Sequence, residues 1–97
     1  MKNKKLYDGS VPSSKDTIGN VICNFTNASF QYDYVGSSLT LSIEMSLDGV
    51  NYEEIQDVTV TATADKKGII NIQDLTINTK LRATAVGDGT ITLNSLF

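Results

Sequence analysis

The sequence has no histidine and no tryptophan, and it contains a single cysteine, Cys23, and a single proline, Pro12. Without histidine, a Ser-His-Asp or Cys-His nucleophile system lacks its base, and a zinc site of cysteine and histidine lacks its ligands. One cysteine also excludes a disulfide within the chain. Cys23 lies among apolar residues, so we expect a buried and unreactive thiol. The sequence therefore predicts a protein that is not an enzyme, with no catalytic, cofactor-binding or metal-binding residues.

The chain also has few basic residues. Lysine and arginine together number eight, against eleven aspartate and glutamate residues, which gives a net charge of −3. Three of the eight are Lys2, Lys4 and Lys5, so the chain beyond them is strongly acidic. An acidic surface repels phosphate backbones, and nucleic acid is therefore not an expected partner. No apolar run is long enough to span a bilayer, so a membrane is not an expected partner either.

The middle of the chain alternates between apolar and polar residues. The apolar positions are Leu39, Leu41, Ile43, Met45 and Leu47, and the polar positions between them are Thr40, Ser42, Glu44 and Ser46. Successive side chains of a strand point to opposite faces. This period of two therefore predicts one long strand with a buried apolar face and a polar face in water.

The long strand is predicted to end in a tight hairpin at Asp48-Gly49. This dipeptide suits the positive φ angles of a two-residue hairpin turn, and apolar character resumes at Tyr52. We expect four residues to form a structural hairpin: Ser46, Asp48, Gly49 and Tyr52.

Similar alternation along the rest of the chain predicts about seven to eight short strands in all. Phe30, Tyr32 and Tyr34 mark an early strand, residues 58–64 and 81–86 mark later ones, and residues 65–68 are expected to form a polar turn. No window has the spacing of an amphipathic helix, and 97 residues suffice for one domain. We therefore predict an all-β fold, a single antiparallel β-sandwich that is immunoglobulin-like or jelly-roll-like.

The segment before the first predicted strand has the composition of a linker. Residues 7–14 are rich in serine and contain Asp8, Gly9 and Pro12. The predicted division is an extended N-terminal arm over residues 1–14 and the sandwich domain over residues 15–97. Removal of residues 1–10 is accordingly expected to leave the fold intact.

Two groups of residues suggest binding sites, but each also has an ordinary structural use. Acids surround the predicted hairpin and are candidates for calcium ligands, but their spacing matches no EF-hand loop, and a solvated acidic face is the preferred interpretation: Asp48, Glu53, Glu54 and Asp57. The tyrosines are candidates for a sugar-stacking platform, but most of them fall in strand patterns, where packing is the default use: Tyr7, Tyr32, Tyr34 and Tyr52.

Two runs of the sequence resemble a known group of proteins. The first extends from Phe30 to Tyr52 and contains the motif Ser-x-Asp-Gly-x-x-aromatic, and the second extends from Thr79 to Leu93 and contains an arginine-bearing strand before a Gly-Asp-Gly-Thr turn. Both runs resemble segments of small β-sandwich virion proteins of tailed phages, of the capsid auxiliary or decoration type.

This resemblance implies a non-enzymatic structural protein of the virion, made in the cytoplasm of the bacterial host. The implied partners are the phage major capsid protein or another virion protein, and further copies of this chain in a homo-oligomer. The residues expected to bind that partner lie in the basic arm: Lys2, Lys4, Lys5, Leu6 and Tyr7. An exposed edge strand is a second expected docking element, because it offers unpaired backbone groups.

Two alternatives stay open at this point. The motif from Ser46 to Tyr52 is also similar to one in discoidin-like carbohydrate-binding modules, so a carbohydrate-binding or adhesin-like domain is the first alternative. A component of the phage tail or baseplate is the second alternative, and it differs from a capsid protein only in its neighbours.

Overall fold

The computed structural model describes residues 3–97, which form nine strands and one short 3-10 helix. The strands are β1 (Lys4–Ser10), β2 (Asp16–Cys23), β3 (Ala28–Val35), β4 (Leu39–Ser46), β5 (Glu53–Glu54), β6 (Val60–Ala62), β7 (Lys66–Ile72), β8 (Thr79–Gly87) and β9 (Thr90–Ser95). The 3-10 helix is Gln56–Val58. Within the described residues, no helix is both long and apolar enough to cross a membrane.

The strands form two antiparallel sheets that pack face to face. The first sheet has the order β1-β9-β3-β7, and the second has the order β2-β8-β4-β5, with β6 also paired to β4. Every strand pair is antiparallel. The predicted β-sandwich is therefore confirmed, with nine strands where seven or eight were expected.

The core lies between the sheets and is built from alternate residues of the long strands. β3 contributes Phe30, Tyr32 and Tyr34, and all three are buried. The ring of Phe97 packs edge-to-face on Phe30, with 5.7 Å between the ring centroids. Cys23 is fully buried, as its apolar neighbours predicted.

The prediction for the central strand is right for most of its length and wrong at its end. Leu39, Leu41 and Ile43 are buried, but Met45 and Leu47 are exposed by 40% and 68%. The polar face is not open to water as expected: Ser42, Glu44 and Ser46 are buried. Two of them are shielded by partners on the same face, because Arg82 and Lys15 contact Glu44 and the hairpin folds over Ser46.

Two segments expected outside the sheets are strands instead. Residues 4–10 were assigned to an arm, but β1 pairs with β9 from Lys4 to Ser10 and forms an edge of the first sheet. Residues 66–68 were assigned to a polar turn, but they open β7, where Lys67 pairs with Asp33 of β3. In both cases the polar residues face solvent from an edge strand, so polarity alone did not indicate a loop.

Candidate functional site

Exposed apolar side chains concentrate at one end of the sandwich. We call it the hairpin end. It is formed by three loops, which are residues 24–27 after β2, residues 47–52 after β4 and residues 73–78 before β8. The ends of these three strands are paired with one another, so the loops lie at the same end of the sheet. Eight large hydrophobic residues of the described chain are exposed, and six of them lie at or beside these loops: Ile22, Phe25, Met45, Leu47, Val50 and Ile77. Single exposed apolar residues are ordinary, but a concentration at one place indicates a contact surface.

Asp48 holds the central loop of the hairpin end in one conformation. Its Oδ1 accepts hydrogen bonds from the backbone N–H groups of Val50 and Asn51, at 2.8 and 2.9 Å, and from the Ser46 hydroxyl at 2.8 Å. Its Oδ2 accepts from the side-chain amide of Asn51 at 2.9 Å. The Ser46 oxygen in turn accepts from the Gly49 N–H at 2.9 Å. The hairpin is therefore closed by its own side chains.

The electrostatics of the hairpin follow from these contacts. The N–H groups of Asn51 and Val50, followed by the Ser46 hydroxyl, hold the pKa of Asp48 well below its usual range. Gly49 has a φ of 79°, a conformation that L side chains rarely adopt. The four residues predicted to form a structural hairpin do lie in one hairpin, but the predicted two-residue turn is wrong. The pair nearest the loop is Met45–Glu53, so residues 46–52 form the loop, and of Asp48 and Gly49 only Gly49 has a positive φ. The side chains of Ser46 and Asp48 bond within this longer loop and hold it in shape.

The loop of residues 73–78 forms a second wall beside the hairpin. Its backbone is tied to the loop before β3, because the Leu75 N–H donates to the Thr26 carbonyl at 2.7 Å and the Asn78 N–H donates to the Cys23 carbonyl at 2.8 Å. Leu75 is buried, whereas Ile77 is exposed. Asp74 and Asn78 have positive φ angles, which these two residue types tolerate better than most.

An apolar groove of about 370 Å³ lies between the hairpin and this loop. Met45, Leu47 and Leu75 supply its apolar surface, and Thr76 and Thr79 supply hydroxyls. Three acids line it as well: Asp48, Glu53 and Asp74. Its volume is at the small end of the ~300–1,000 Å³ range of ligand pockets, which suits a few side chains of a partner better than a large cofactor.

Charged residues on the outer face of the second sheet pair with one another. Arg82 Nε lies 2.7 Å from Glu44 Oε1, and Lys15 Nζ lies 3.6 Å from Glu44 Oε2 and 3.9 Å from Glu54 Oε1. The Arg82 guanidinium also stacks on the Tyr52 ring, 3.9 Å from its centroid. Tyr52 therefore joins the far side of the hairpin to β8 through a cation–π contact.

A second, shallower depression lies beside Tyr52. It has a volume of about 470 Å³, and the residues around it include Lys4, Asn20, Ile22 and Lys80. Lys80 itself donates from Nζ to the Leu47 carbonyl at 3.3 Å. An aromatic ring beside amide and ammonium donors is a combination that suits a sugar.

The opposite end of the sandwich uses a second aspartate in the same way. Asp88 Oδ1 accepts from the Ser37 N–H at 2.9 Å, and its Oδ2 accepts from the Ser37 hydroxyl at 2.7 Å. These two bonds lower the pKa of Asp88, the backbone bond most strongly. The Tyr34 hydroxyl lies 2.7 Å from the Ser38 carbonyl and 3.1 Å from Asp88 Oδ1, and burial raises the pKa of this phenol. The cluster closes a turn.

Four of the five residues predicted to bind a partner lie on β1. Lys4 and Lys5 are exposed, and Lys5 Nζ lies 3.3 Å from Asp8 Oδ2. Leu6 and Tyr7 are half-buried against the core, and the Tyr7 hydroxyl donates to the Ser10 carbonyl. Lys2 lies outside the described residues. Among the described residues of this group, only Lys4 and Lys5 are therefore fully presented to solvent.

The tyrosines do not form one platform. Tyr32 and Tyr34 are buried in the core, Tyr7 is on the first sheet, and Tyr52 is on the second. Burial also raises the pKa of Tyr32. In the acidic segment, Glu54 faces Lys15, while Asp48 serves the hairpin. Within residues 3–97, no group of three or more metal-binding side chains is placed to hold an ion.

The sequence did not reveal the groove because its second wall comes from elsewhere in the chain. Neither Leu75 nor Asp74 belongs to a predicted strand or to a motif of the sequence. Met45 and Leu47 were assigned to the core by their alternation. One feature of the sequence did indicate that Leu47 is exposed. It lies between Ser46 and Asp48, where the strand must already be turning.

No protein-family model, curated protein or solved structure matches this chain. The resemblance to tailed-phage virion proteins therefore depends on the two runs of sequence alone, and it stays a prediction.

Proposed function

We propose that this chain is a non-enzymatic virion protein that binds the shell of a tailed phage as an auxiliary or decoration protein. The observation that carries the proposal is the concentration of exposed apolar side chains at the hairpin end, six of the eight in the described chain. Apolar surface of this kind is stabilised when a partner removes it from water. A protein that works by contact area needs such a surface and a rigid scaffold behind it.

The placement of the two resembling runs supports the proposal. The run from Phe30 to Tyr52 contains most of β3, all of β4 and the hairpin, and the run from Thr79 to Leu93 contains β8 and most of β9. β3 and β9 are neighbours at the centre of the first sheet, and β4 and β8 are neighbours at the centre of the second. The likeness therefore involves the scaffold of both sheets and the hairpin, in one consistent arrangement.

The uses of the charged groups also favour binding over chemistry. Asp48 and Asp88 have lowered pKa values because turn donors stabilise their charged forms. Glu44 and Arg82 neutralise each other at 2.7 Å. A general acid or base at neutral pH instead needs a pKa shifted towards neutrality and access to a substrate. Each of these four groups is already engaged in holding the fold.

A repeated shell suits a small surface of modest affinity. A standard interface buries ~800 Å² per partner, whereas a groove of about 370 Å³ accommodates only a few side chains. Contacts between copies bound at neighbouring sites of one particle add avidity, which raises the occupancy of each site. This arrangement also accommodates a possible homo-oligomer on the shell.

The proposal is tested by the copy number of the protein on purified particles. Mass spectrometry of gradient-purified virions of the encoding phage is expected to find the protein in a fixed, high ratio to the major capsid protein. A low copy number that follows isolated tails would favour a tail or baseplate component. Presence in the lysate but absence from purified particles would contradict a virion role.

A carbohydrate-binding or adhesin-like domain is the second candidate, favoured by the depression beside Tyr52. On a glycan array, this function requires saturable, sugar-specific binding that is lost in Tyr52→Ala and kept in Tyr52→Phe, because the second variant retains the ring. Circular dichroism of both variants verifies that they are folded. An array with no specific binder would exclude this candidate.

A further inference from the structure

The apolar groove at the hairpin end has walls that are already fixed. The hairpin is closed by five hydrogen bonds among Ser46, Asp48, Gly49, Val50 and Asn51, each of 2.8–2.9 Å. The facing loop is tied down by the backbone bonds from Leu75 and Asn78. A preorganised groove loses little conformational entropy when it binds, so more of the contact energy appears as affinity.

The charge around the groove has one sign. Asp48, Glu53 and Asp74 line it, and Glu53 and Asp74 are exposed. The nearest lysine of the hairpin, Lys80, points its ammonium at the Leu47 carbonyl. The whole chain also carries a net charge of −3. The field at the groove therefore attracts cations and repels acidic groups.

We propose that this groove binds a short segment of a partner protein in which apolar side chains are flanked by lysine or arginine. The apolar side chains would cover Met45, Leu47 and Leu75, and the basic groups would face Glu53 and Asp74. The inference rests on the proposed function, because it gives that function its docking site and the chemistry of the partner. It moves the docking site from β1, where the sequence placed it, to the opposite side of the hairpin.

The size and charge of the groove favour this occupant. About 370 Å³ accommodates a few side chains, which matches an anchor segment. A phosphorylated or acidic segment would meet three carboxylates without a compensating cation. A second copy of this chain brings further negative charge to the contact, so self-association through this groove is disfavoured.

The test uses three synthetic peptides of equal length and the intact protein. The first alternates leucine with lysine, the second alternates leucine with glutamate, and the third alternates serine with lysine. Isotope-labelled protein is titrated with each peptide and followed by NMR. The leucine–lysine peptide is expected to bind and to shift the amide signals of residues 47–51 and 74–76, more weakly as salt is raised. The other two peptides are expected not to bind there.

Matched variants separate the groove from general attraction. Leu47→Ser is expected to raise the Kd of the leucine–lysine peptide about tenfold, the size of effect found when a buried contact residue is truncated. Ile69→Ser, at a residue of similar exposure on the first sheet, is expected to leave it unchanged. Glu53→Gln is expected to weaken binding and reduce its salt dependence, whereas Asp16→Asn, at the other end of the sandwich, is expected to have no effect.

Several results would overturn the inference. One is equal binding of the leucine–glutamate peptide, and another is an equal loss of binding in Leu47→Ser and Ile69→Ser. Concentration-dependent self-association that Leu47→Ser abolishes would show that the groove takes a second copy instead. The peptide test needs no phage particle, so it is independent of the proposed function. If the peptides do not bind but the protein is abundant on virions, only the groove as docking site is rejected. If the leucine–lysine peptide binds but the protein is absent from virions, only the virion role is rejected.

Discussion

Two aspartates hold the two ends of this sandwich by the same means. Asp48 accepts from backbone and hydroxyl donors within its own hairpin, and Asp88 accepts from Ser37 across the opposite turn. In both cases the ionised carboxylate accepts the hydrogen bonds that hold the loop, so protonation of the carboxylate weakens the loop conformation. Acid–base titration of the protein should therefore act first on the loops at the ends and not on the core.

We expect Asp48→Asn to destabilise the protein only where the carboxylate is ionised. The folded-state pKa of Asp48 lies below its ordinary value of 3.8, so its contribution is present above about pH 4 and is lost as pH falls through the folded value. The asparagine amide would also oppose the Asn51 amide, donor against donor. Urea unfolding of both proteins across pH measures the difference. A gap that stays constant down to about pH 2 would contradict this explanation.

Gly89 gives a second expectation at the residue scale. Its φ is 77°, and a Cβ at this position would overlap the Val35 carbonyl oxygen. We expect Gly89→Ala to lower the free energy of unfolding by at least ~1–2 kcal/mol, the penalty of a left-handed conformation alone. Gly9→Ala is the control, because a Cβ there meets the Tyr7 ring at an ordinary 3.6–3.8 Å. Equal stability of the two variants would refute the argument.

At the residue scale the sequence predicted local chemistry well and distant partners poorly. The dipeptide Asp48-Gly49 indicated a turn because the partners that Asp48 bonds lie within three positions of it in the sequence. The contact of Tyr34 with Asp88 spans 54 residues, and nothing in either neighbourhood indicates the other. The burial of Glu44 likewise depends on Arg82, 38 residues away.

At the element scale, β1 changes what the N-terminal segment is expected to do. β1 pairs with β9 along its length, and Leu6 and Tyr7 pack against the core. The sequence predicted a separable arm because serine, glycine and lysine are common in linkers. On an edge strand, the same residue types keep the outer side of the strand exposed to water.

We therefore expect removal of residues 1–10 to destabilise the fold, contrary to the expectation from sequence. The loss should be about 2 kcal/mol or more, since two half-buried side chains and a strand ladder disappear. Thermal unfolding followed by circular dichroism measures it, with removal of residues 1–3 as the control that keeps β1 complete. If the variant without residues 1–10 unfolds at the same temperature as the full chain, the interpretation of this segment as a separable arm would be right.

The sequence predicted best the strands in which alternate apolar residues are buried along most of the strand. β3, β4 and β8 were each predicted, and they are inner strands of the two sheets. The strand predicted over residues 58–64 contains the three-residue β6, whereas β5 has two residues, too few for a period to be recognised. β1 was missed because little apolar surface is needed to keep an edge strand in place.

At the scale of the whole molecule, the two ends of the sandwich differ in character. The end around Asp88 is polar and closed by the Tyr34 phenol, while the hairpin end exposes apolar side chains beside three acids. This asymmetry arises from three separate loops, residues 24–27, 47–52 and 73–78, so no single stretch of the chain displays it. It is the reason that we assign partner binding to one end of the fold.

Hydrogen–deuterium exchange of the protein, free and bound to purified capsid shells, tests that assignment most directly. We expect binding to slow exchange of the amides in residues 47–51 and 74–76, with residues 88–89 and β7 unchanged. Slower exchange in β1, with none at the hairpin end, would contradict it.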